Sequence, residues 1–574
     1  MIKPRKAVIE MQEYAPPISD REKYLRLDFN ENIIGCSSKV LKALKDIKSS
    51  DLATYPDYKK LRRALADYCS INANEVLPTN GTDEAIKTII EAYIEKSKDE
   101  IIIPVPTFAM FKFYAQLNEA IIKEIEYNYD LRFPIQRVLD ELNKNTKIVV
   151  LVNPNNPTGT SIKERDIIKI IEKSQKNNAI VLIDEAYYQF TGKTDTPLIK
   201  KYDNLIITQT FSKAFGLAGL RLGYIISNEN NIKNIQKALS PYSVNNAAVK
   251  CAFAALKDLD FVKKYAREVK ESKTILYKAL AFLGIKYYRS DANFVLLKIG
   301  EKVEFFCQKL REYGILVRNR SGDQLLEGCV RITLGSINRT KRLIAAISQV
   351  IKEINPLLIF DIDGVLVDIS KSYRIAIKQT AEYFTKQKIT FREIQSYKNN
   401  GGYNNDWDLT EAIIKSKGEN VNKKEIIKRF QSYYNGLINN ERWLLNKKIL
   451  KAASKRYNLV ILTGRPRKEA CYVLKKNKVT EFFKTIIAME DISKQKPNPE
   501  GLLKILSRYQ NPSAYYFGDT IDDMKSATQA NVNPIGVLPP QYKSALLQNL
   551  LIKNGAKAVI QDINEIMEVL NENR

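Results

Sequence analysis

Along most of the chain, short apolar runs rich in β-branched residues alternate with stretches in which apolar residues recur every three or four positions. Strands alternating with helices in this way predict an α/β architecture. In the first half, strands are expected at Glu100–Ile103, Lys147–Val152, Ala179–Ile183, Asn204–Thr208 and Leu222–Ile226, each followed by turn residues or by side chains able to do chemistry. A helical stretch from Asn338 to Glu353 stops at Asn355-Pro356, where the proline disfavours helix at the residue before it. The boundary is set there, giving domains 1–354 and 355–574. Immediately afterwards Leu357-Leu-Ile-Phe-Asp-Ile-Asp-Gly restarts as a buried strand ending in acids, with further strands at Asn458–Leu462, Lys484–Ala488 and Ala514–Phe517. Between the first two of these, about 370–450, helical patterns rich in Tyr, Lys and Ile read as an inserted cap. No internal repeat relates the halves.

Length agrees with two domains, since 574 residues exceed the ~250–300 at which single cores stop growing. With 44% hydrophobic and 27% charged residues the chain has a globular composition. The Met1-Ile-Lys-Pro-Arg-Lys start has no apolar stretch behind it and is not expected to be a secretory signal. No apolar run approaches the ~18 residues of a membrane span, so a cytoplasmic protein with no membrane partner is expected. Cys36, Cys69, Cys251, Cys307, Cys329 and Cys471 lie far apart without a C-x-x-C spacing, which argues against zinc or a disulfide framework. The formal charge of +26 is spread over lysines on polar helix faces, with no arginine-rich tail; we read it as a solvated surface that attracts small anions, not nucleic acid. There is no histidine. That excludes Ser-His-Asp catalysis and histidine metal sites, and leaves proton transfer to Lys, Asp, Tyr or a cofactor.

Four motifs in the first half carry chemistry. Thr210-Phe-Ser-Lys-Ala-Phe-Gly-Leu-Ala-Gly-Leu-Arg places Lys213 just after a strand, with Thr210, Ser212 and Arg221 near. Ala179-Ile-Val-Leu-Ile-Asp ends a strand in Asp184, with Tyr187 three residues on. Asn153-Pro-Asn-Asn-Pro-Thr-Gly offers Asn156 on a proline-stiffened turn. Thr79-Asn-Gly-Thr-Asp-Glu-Ala puts Gly81, Thr82 and Asp83 at a helix start, where free N–H groups favour a phosphate. Together they supply what pyridoxal 5'-phosphate needs: a lysine for its aldehyde, an acid for the ring nitrogen, a donor to the phenolic oxygen and a phosphate cradle. Lys213, once released, is also the base that moves the substrate Cα proton.

These residues resemble fold-type I aminotransferases, and more narrowly the histidinol-phosphate aminotransferases, over roughly Tyr14 to Ile354. Leu27-Asp-Phe-Asn-Glu-Asn-Ile-Ile-Gly, Thr54-Tyr-Pro-Asp and Val330-Arg-Ile-Thr-Leu-Gly extend the resemblance. It implies a large mixed-sheet domain at about 45–245, a small α/β domain drawn from both ends, and a homodimer in which Tyr55 reaches the partner's cofactor phosphate. It also implies that Arg331 clamps a carboxylate, that Tyr14 and Asn32 contact substrate, and that Phe108 stacks on the cofactor ring where the family usually has tyrosine. Pro17 departs from a usual glycine. Arg320 is either a second substrate-anion contact or a surface arginine.

The second half resembles the haloacid dehalogenase superfamily of phosphatases, a Rossmann-like fold with a helical cap. The resemblance rests on Leu358-Ile-Phe-Asp-Ile-Asp-Gly-Val-Leu-Val-Asp, Leu462-Thr-Gly, Lys496-Pro-Asn-Pro and Phe517-Gly-Asp-Thr-Ile-Asp-Asp. It implies Asp361 as nucleophile, Asp363 as acid and base, and Thr463, Gly464 and Lys496 around the transferring phosphoryl group. Mg²⁺ would be held by Asp361, Asp363, Asp519 and Asp523, with Asp522 as the alternative to Asp523. Gly401-Gly-Tyr-Asn-Asn-Asp-Trp is either a specificity loop or a helix-helix turn.

Joined, the resemblances imply transamination of imidazole-acetol phosphate by glutamate, giving 2-oxoglutarate and histidinol phosphate, then hydrolysis of that ester. The alternatives are a transaminase of another phosphorylated or aromatic substrate, a threonine-phosphate decarboxylase, a phosphatase of unrelated substrate, or a regulatory phosphate-binding module.

Overall fold

The computed structural model describes residues 2–13, 20–354, 356–403, 405–509 and 512–572. It divides into two compact units, Met1–Val350 and Ile351–Arg574. The division falls within the helix Ile337–Ile354, a few residues before the sequence-set boundary, and Asn355 lies outside the described residues.

In the first unit, seven strands form one sheet: β1 (Val76–Thr79), β2 (Glu100–Val105), β3 (Ile121–Glu126), β4 (Thr146–Val152), β5 (Ile180–Asp184), β6 (Leu205–Thr210) and β7 (Gly223–Ser227). The order is β1-β7-β6-β5-β4-β2-β3. Every pair is parallel except those of β7, which runs antiparallel to both neighbours. Parallel strands are covered on both faces and so read as continuous apolar runs. Ile101, Ile103, Ile148 and Val150 pack on one face with Ile86 and Ile89 of α1 (Gly81–Tyr93), while Ile102, Val149 and Leu151 pack on the other.

The sequence reading marks five of these seven strands. The two it misses are the edges. At β1, Pro78 weakens the strand pattern but is tolerated because the strand pairs on one side only. At β3, Ile-Ile-Lys-Glu-Ile-Glu is half solvated and looks helical or loop-like in isolation. Pro104 shortens the expected β2, yet the strand continues through it, because pairing with β4 has ended at Ile102 and only the β3 side remains.

Four antiparallel strands follow: β8 (Lys286–Tyr288), β9 (Phe294–Lys298), β10 (Arg318–Asn319) and β11 (Cys329–Thr333), in the order β10-β11-β9-β8. Leu25–Arg26, from the N-terminal side, pairs with Ile315–Leu316, so this smaller region draws on both ends of the unit.

The second unit is a six-stranded, all-parallel sheet. Its strands are β12 (Leu357–Phe360), β15 (Asn458–Leu462), β16 (Phe483–Ile487), β17 (Ala514–Gly518), β18 (Asn533–Val537) and β19 (Ala558–Ile560), ordered β16-β15-β12-β17-β18-β19. Two short strands, β13 (Val367–Asp368) and β14 (Arg442–Trp443), pair antiparallel and bracket an insertion. The insertion carries four helices, α2 (Tyr373–Thr385), α3 (Phe391–Asn400), α4 (Asp406–Ser416) and α5 (Lys423–Leu437). Ile377, Leu409, Ile413 and Phe430 of these helices share one buried cluster with Phe360, Leu459 and Ile461 of the sheet.

Both sheets deliver their polar residues at the carboxyl ends of strands, where open α/β sheets form their crevices. Phe360 anchors the central strand of the second. It is fully buried, stacked on Phe517 with ring centres 5.1 Å apart and edge-on to Phe483 at 6.2 Å. Phe360→Ala is therefore expected to destabilise this unit by about 3–5 kcal/mol, read as a lowered urea midpoint with an unchanged m-value.

Candidate functional site

A cavity of about 200 Å³ in the first unit is lined by Lys213, Asp184, Asn156, Tyr187, Phe108 and Arg221, among others. Asp184 is the last residue of β5, and Lys213 stands three residues beyond the end of the neighbouring strand β6. The Lys213 amine donates to Phe29 O at 3.0 Å. Desolvation, reinforced by the Arg331 charge, pulls its pKa down to about 8, so a neutral, nucleophilic fraction exists near neutrality. Asp184 is buried and accepts a hydrogen bond from Thr208 Oγ1 at 3.0 Å. Burial pushes its carboxyl up to about 7, which leaves it in want of a cation such as a protonated ring nitrogen.

The phosphate cradle is built by close approach. Gly81 opens α1 with a positive φ of 78°, and a Cβ there would lie 2.6 Å from the Arg221 guanidinium. Asp83 accepts from Arg221 Nη2 at 2.8 Å and so steers that guanidinium across Gly81. A Cβ on Gly223 would come within 2.8 Å of Gly81 C and Thr82 N, so β7 must carry glycine where it passes the loop. Thr210 Oγ1 and Ser212 Oγ are 3.0 Å apart, and Thr82, Thr210 and Ser212 all line the cavity. Helix start, guanidinium and hydroxyls together suit a phosphate dianion. Tyr187 is held by Asn30 Nδ2 at 2.9 Å and by edge contact with Phe294. The residues present fit pyridoxal phosphate.

The opposite end of the cavity is cationic. Arg331 is buried, with Nη1 donating to Asn156 Oδ1 and Nη2 to Asp28 O at 2.6 Å; burial lowers its pKa to about 10. Arg318 on β10 stands directly across from Arg331 on β11, and Arg320 also lines the cavity while pairing with Asp323. Like charges opposite one another in a sheet are costly, and an anionic ligand removes that cost. Arg318, Phe29 and Asn30 were not singled out from sequence, although Asn30 lies in the same Leu27–Gly35 motif. Its left-handed φ of 57° is a conformation asparagine tolerates.

Two expected residues stand elsewhere. Asn32 is engaged structurally: its Nδ2 donates to Ala214 O at 3.1 Å and its Oδ1 accepts from Ile34 N, and it does not line the cavity. Tyr55 is 76% exposed and packs on Tyr242, away from its own cavity. Tyr14 and Pro17 lie outside the described residues.

In the second unit Asp361 follows β12, Thr463 follows β15 and Asp519 follows β17. Lys496 is buried, 3.2 Å from Asp361 Oδ1 and 2.8 Å from Asp523 Oδ1. Burial would lower its pKa, but Asp361 and Asp523 outweigh this and hold it raised. Burial lifts Asp361 to about 7 against the pull of Lys496. Carboxylate oxygens of Asp361, Asp519 and Asp523 lie within 4.8 Å of one another. Burial, then the charges of Asp523 and Asp361, push Asp519 well above the ordinary carboxylate range. Such crowding is relieved by a hard divalent cation, so the residues fit Mg²⁺. A Cβ on Gly364 (φ 73°) would lie 2.2 Å from Asp519 Oδ2, which explains the glycine after Asp363.

Asp523 already accepts from Lys496, Tyr516 and Thr520, so seating Lys496 is its visible task. Asp522 instead accepts from Gly402 N at 2.8 Å. The Gly401-Gly402 turn between α3 and α4 is thus fastened to the start of the helix Ile521–Gln529, and Asn404 within it lies outside the described residues. The Asp363 carboxylate is not brought into the metal-sized group: it is held by Arg465. Arg465 follows Thr463 by two residues and was missed, since Leu-Thr-Gly alone drew attention. Asp361, Asp363 and Asp519 line a cavity of this unit together with Gly464, Arg374, Lys398 and Asp368.

Residues 22–347 match the family described as aminotransferase class I and II, and residues 358–537 match haloacid dehalogenase-like hydrolase. The histidinol-phosphate aminotransferase of Caldanaerobacter subterraneus subsp. tengcongensis is 38% identical over 330 residues, covering 57% of this chain and 93% of that protein. That of Christiangramia forsetii is 36% identical over 324 residues, covering 56% and 91%. A crystal structure of a protein described as a putative histidinol-phosphate aminotransferase from Erwinia carotovora atroseptica superposes with a TM-score of 0.54 at 26% identity, covering 58% of this chain and 98% of that one. A Sinorhizobium meliloti histidinol-phosphate aminotransferase, solved with pyridoxal-5'-phosphate, shares the fold at 21% identity and a TM-score of 0.56, covering 61% and 98%. A lysine and an acid at adjacent strand ends, facing arginines across a cavity, are thus found in a chain that belongs to the class I and II aminotransferases and continues into a haloacid dehalogenase-like hydrolase domain.

Proposed function

We propose that the first unit transfers the amino group of glutamate to imidazole-acetol phosphate, giving 2-oxoglutarate and histidinol phosphate, and that the second hydrolyses histidinol phosphate to histidinol and phosphate. The observation that carries the first step is the Arg318, Arg320 and Arg331 group facing Lys213 and Asp184, read with the names of the relatives. It suits an α-carboxylate in one half-reaction and a phosphate monoester in the other.

Pyridoxal phosphate, when bound, would supply the electron sink for the transfer. Lys213 would hold it at its aldehyde and, when displaced, would take and return the proton at the substrate Cα. Asp184 would keep the ring nitrogen protonated, Asn156 and Tyr187 would orient the phenolic oxygen, and Arg331 would hold the substrate anion. We also infer a homodimer: exposed Leu52, Tyr55 and Tyr242 offer apolar surface, with Tyr55 available to a partner's cradle.

In the second unit an oxygen of Asp361 attacks phosphorus, the ester P–O bond breaks, and its electron pair leaves on the alcohol oxygen, which takes a proton from Asp363. Water then attacks the aspartyl-phosphate, gives a proton to Asp363, and phosphate departs with the P–O bond to Asp361 broken. Lys496 offsets the charge gathered at Asp361 and phosphate. Mg²⁺, held by Asp361 and Asp519 beside Asp523, would add to that neutralisation. Free cysteines throughout the described residues, and the absence among them of any helix long and apolar enough to cross a membrane, support assignment to the cytoplasm.

Given imidazole-acetol phosphate and glutamate, the wild-type chain should release histidinol, 2-oxoglutarate and phosphate. Lys213→Ala should lose amine formation by on the order of 10³-fold or more yet still hydrolyse added histidinol phosphate. Asp361→Asn should do the reverse and accumulate histidinol phosphate. Carbon dioxide release without a keto acid would instead identify a decarboxylase and overturn the first half of the proposal.

Asp184 also makes a pH prediction. In the cofactor-free fold its carboxyl binds a proton more tightly (about 7) than at its ordinary 3.8. Stability from the neutral form is therefore present below about pH 4 and lost as pH rises through 7. Asp184→Asn lacks this loss, so the cofactor-free variant should gain in Tm over wild type between pH 5 and pH 8, while its transaminase activity falls. An unchanged Tm difference across that range would show that Asp184 is not burdened by burial.

A further inference from the structure

Arg465 is 1% exposed by its side chain, as is Glu441, with which it pairs. Its Nε donates to Asp363 Oδ1 at 2.7 Å and its Nη2 pairs with the same oxygen. The other edge of the guanidinium meets Glu441, Nη1 to Oε2 at 3.0 Å and Nη2 to Oε1 at 3.2 Å. Glu441 also accepts from Ser372 Oγ at 2.9 Å and Tyr434 OH at 3.1 Å, and Arg465 lies over the Tyr373 ring at 4.8 Å. Ser372 and Tyr373 open α2, Tyr434 lies on α5, and Glu441 immediately precedes β14, one of the two strands that join cap to sheet. Arg465 itself stands just past β15 of the sheet.

Burying one guanidinium against two carboxylates is a poor way to gain stability, because desolvation offsets much of the attraction. It is an effective way to fix geometry, since a planar fork holds two carboxylates in one register. Only Oδ1 of Asp363 is taken by Arg465, and Asp363 lines the cavity that also holds Asp361. The second oxygen is thereby kept as the group that can serve a reacting ester.

We infer that Arg465 is a positioning residue for phosphate-ester cleavage: it holds Asp363 in place to protonate the leaving oxygen and, through Glu441, makes that placement depend on the hinge strands of the cap. This inference rests on the phosphatase reading above. A cap-borne substrate contact that shifts β13 and β14 would move Glu441, and with it Arg465 and the acid.

The test exploits leaving-group demand. An alkyl ester such as histidinol phosphate or glycerol 2-phosphate needs a proton as its P–O bond breaks, whereas p-nitrophenyl phosphate hardly does. kcat/KM reports events up to departure of the leaving group, so loss of acid placement should be ester-selective there. For the full-length chain, Arg465→Met should lower kcat/KM on the alkyl esters by roughly 10²-fold, the lower end of what general acid catalysis contributes. On p-nitrophenyl phosphate the loss should stay within about 5-fold, and Asp363→Asn should show the same selectivity. Because Arg465→Met leaves the buried Glu441 carboxylate without its cation, Arg465→Met/Glu441→Leu provides a better-folded background that must show the same ratio. Glu441→Gln should reproduce the selectivity more weakly. Equal losses on both ester types in the arginine variants would overturn the positioning role, and a Glu441→Gln variant identical to wild type on both would overturn the hinge connection. Failure of wild type to hydrolyse any alkyl phosphate would instead remove the phosphatase reading, and this inference with it.

Discussion

A charge buried at the end of a parallel strand has to find a partner, and the arrangement of both units follows from that constraint. Strand ends in an open α/β sheet converge on one crevice, so polar side chains collect where water is scarce. In the second unit the answer is internal: Lys496 sits between Asp361 and Asp523, while Tyr516 and Thr520 complete the hydrogen bonds of Asp523. In the first unit it is external. Among the described residues Asp184 has a hydroxyl but no cation within bonding distance, Lys213 rests on a backbone carbonyl, and Arg331 faces Arg318 across a strand pair. These groups share a geometry that a cofactor carrying a cationic ring nitrogen, an aldehyde and a phosphate completes, as does a substrate bearing an anion.

The lack of histidine sharpens this. A chain without imidazole has no side chain whose ordinary pKa lies near neutrality. Both units instead shift other groups toward it by burial: Lys213 down to about 8, Asp361 up to about 7. Desolvation does here what the choice of residue does elsewhere. The same burial then demands the fixed partners, such as Lys496 and Arg465, that keep the charged forms in place.

The residues that the fold gathers at each strand-end crevice are legible in the sequence where local chemistry and strand periodicity coincide. Lys213, Asp184, Asn156 and the Gly81–Asp83 turn each sit at the end of an apolar run, and the same holds for Asp361, Thr463 and Asp519. Legibility ends where the determining fact is a distance across the fold. Nothing local distinguishes Arg465 from an ordinary arginine after a turn, because its meaning comes from Asp363, 102 residues earlier, and Glu441, 24 residues earlier. Arg318 likewise gains significance only from its register opposite Arg331. Asn32 errs in the other direction: its motif is suggestive, but Ala214 and Ile34 absorb its hydrogen bonds, and Asn30 two residues before it faces the cavity. Asp522 and Asp523, adjacent and chemically identical, are separated only by helix geometry, which sends one to Lys496 and the other to Gly402.

Joining the two activities in one chain has a thermodynamic consequence. Transamination exchanges one amine and one ketone for another pair and lies near balance, so its product holds back its own formation. Hydrolysis of a phosphate monoester in water runs in one direction. On the proposed order of steps, a second unit present in equal number to the first removes histidinol phosphate as it forms and draws the reversible step forward. On the same proposal the arginines at the first site and the acids at the second would have opposite tasks toward one ester. On that proposal Arg331 and its neighbours would grip the phosphate as a handle for positioning the amine, and would gain by holding an intact dianion. Asp361 and Asp363 would treat the phosphate as the reacting group and would have to expel the alcohol. A site of the first kind needs fixed cations and no nucleophile near phosphorus, while one of the second needs the nucleophile first and enough cation to let it approach. The placement of Lys496 against Asp361, and of Arg465 against Asp363, meets the second requirement in a buried site that has no imidazole to call on.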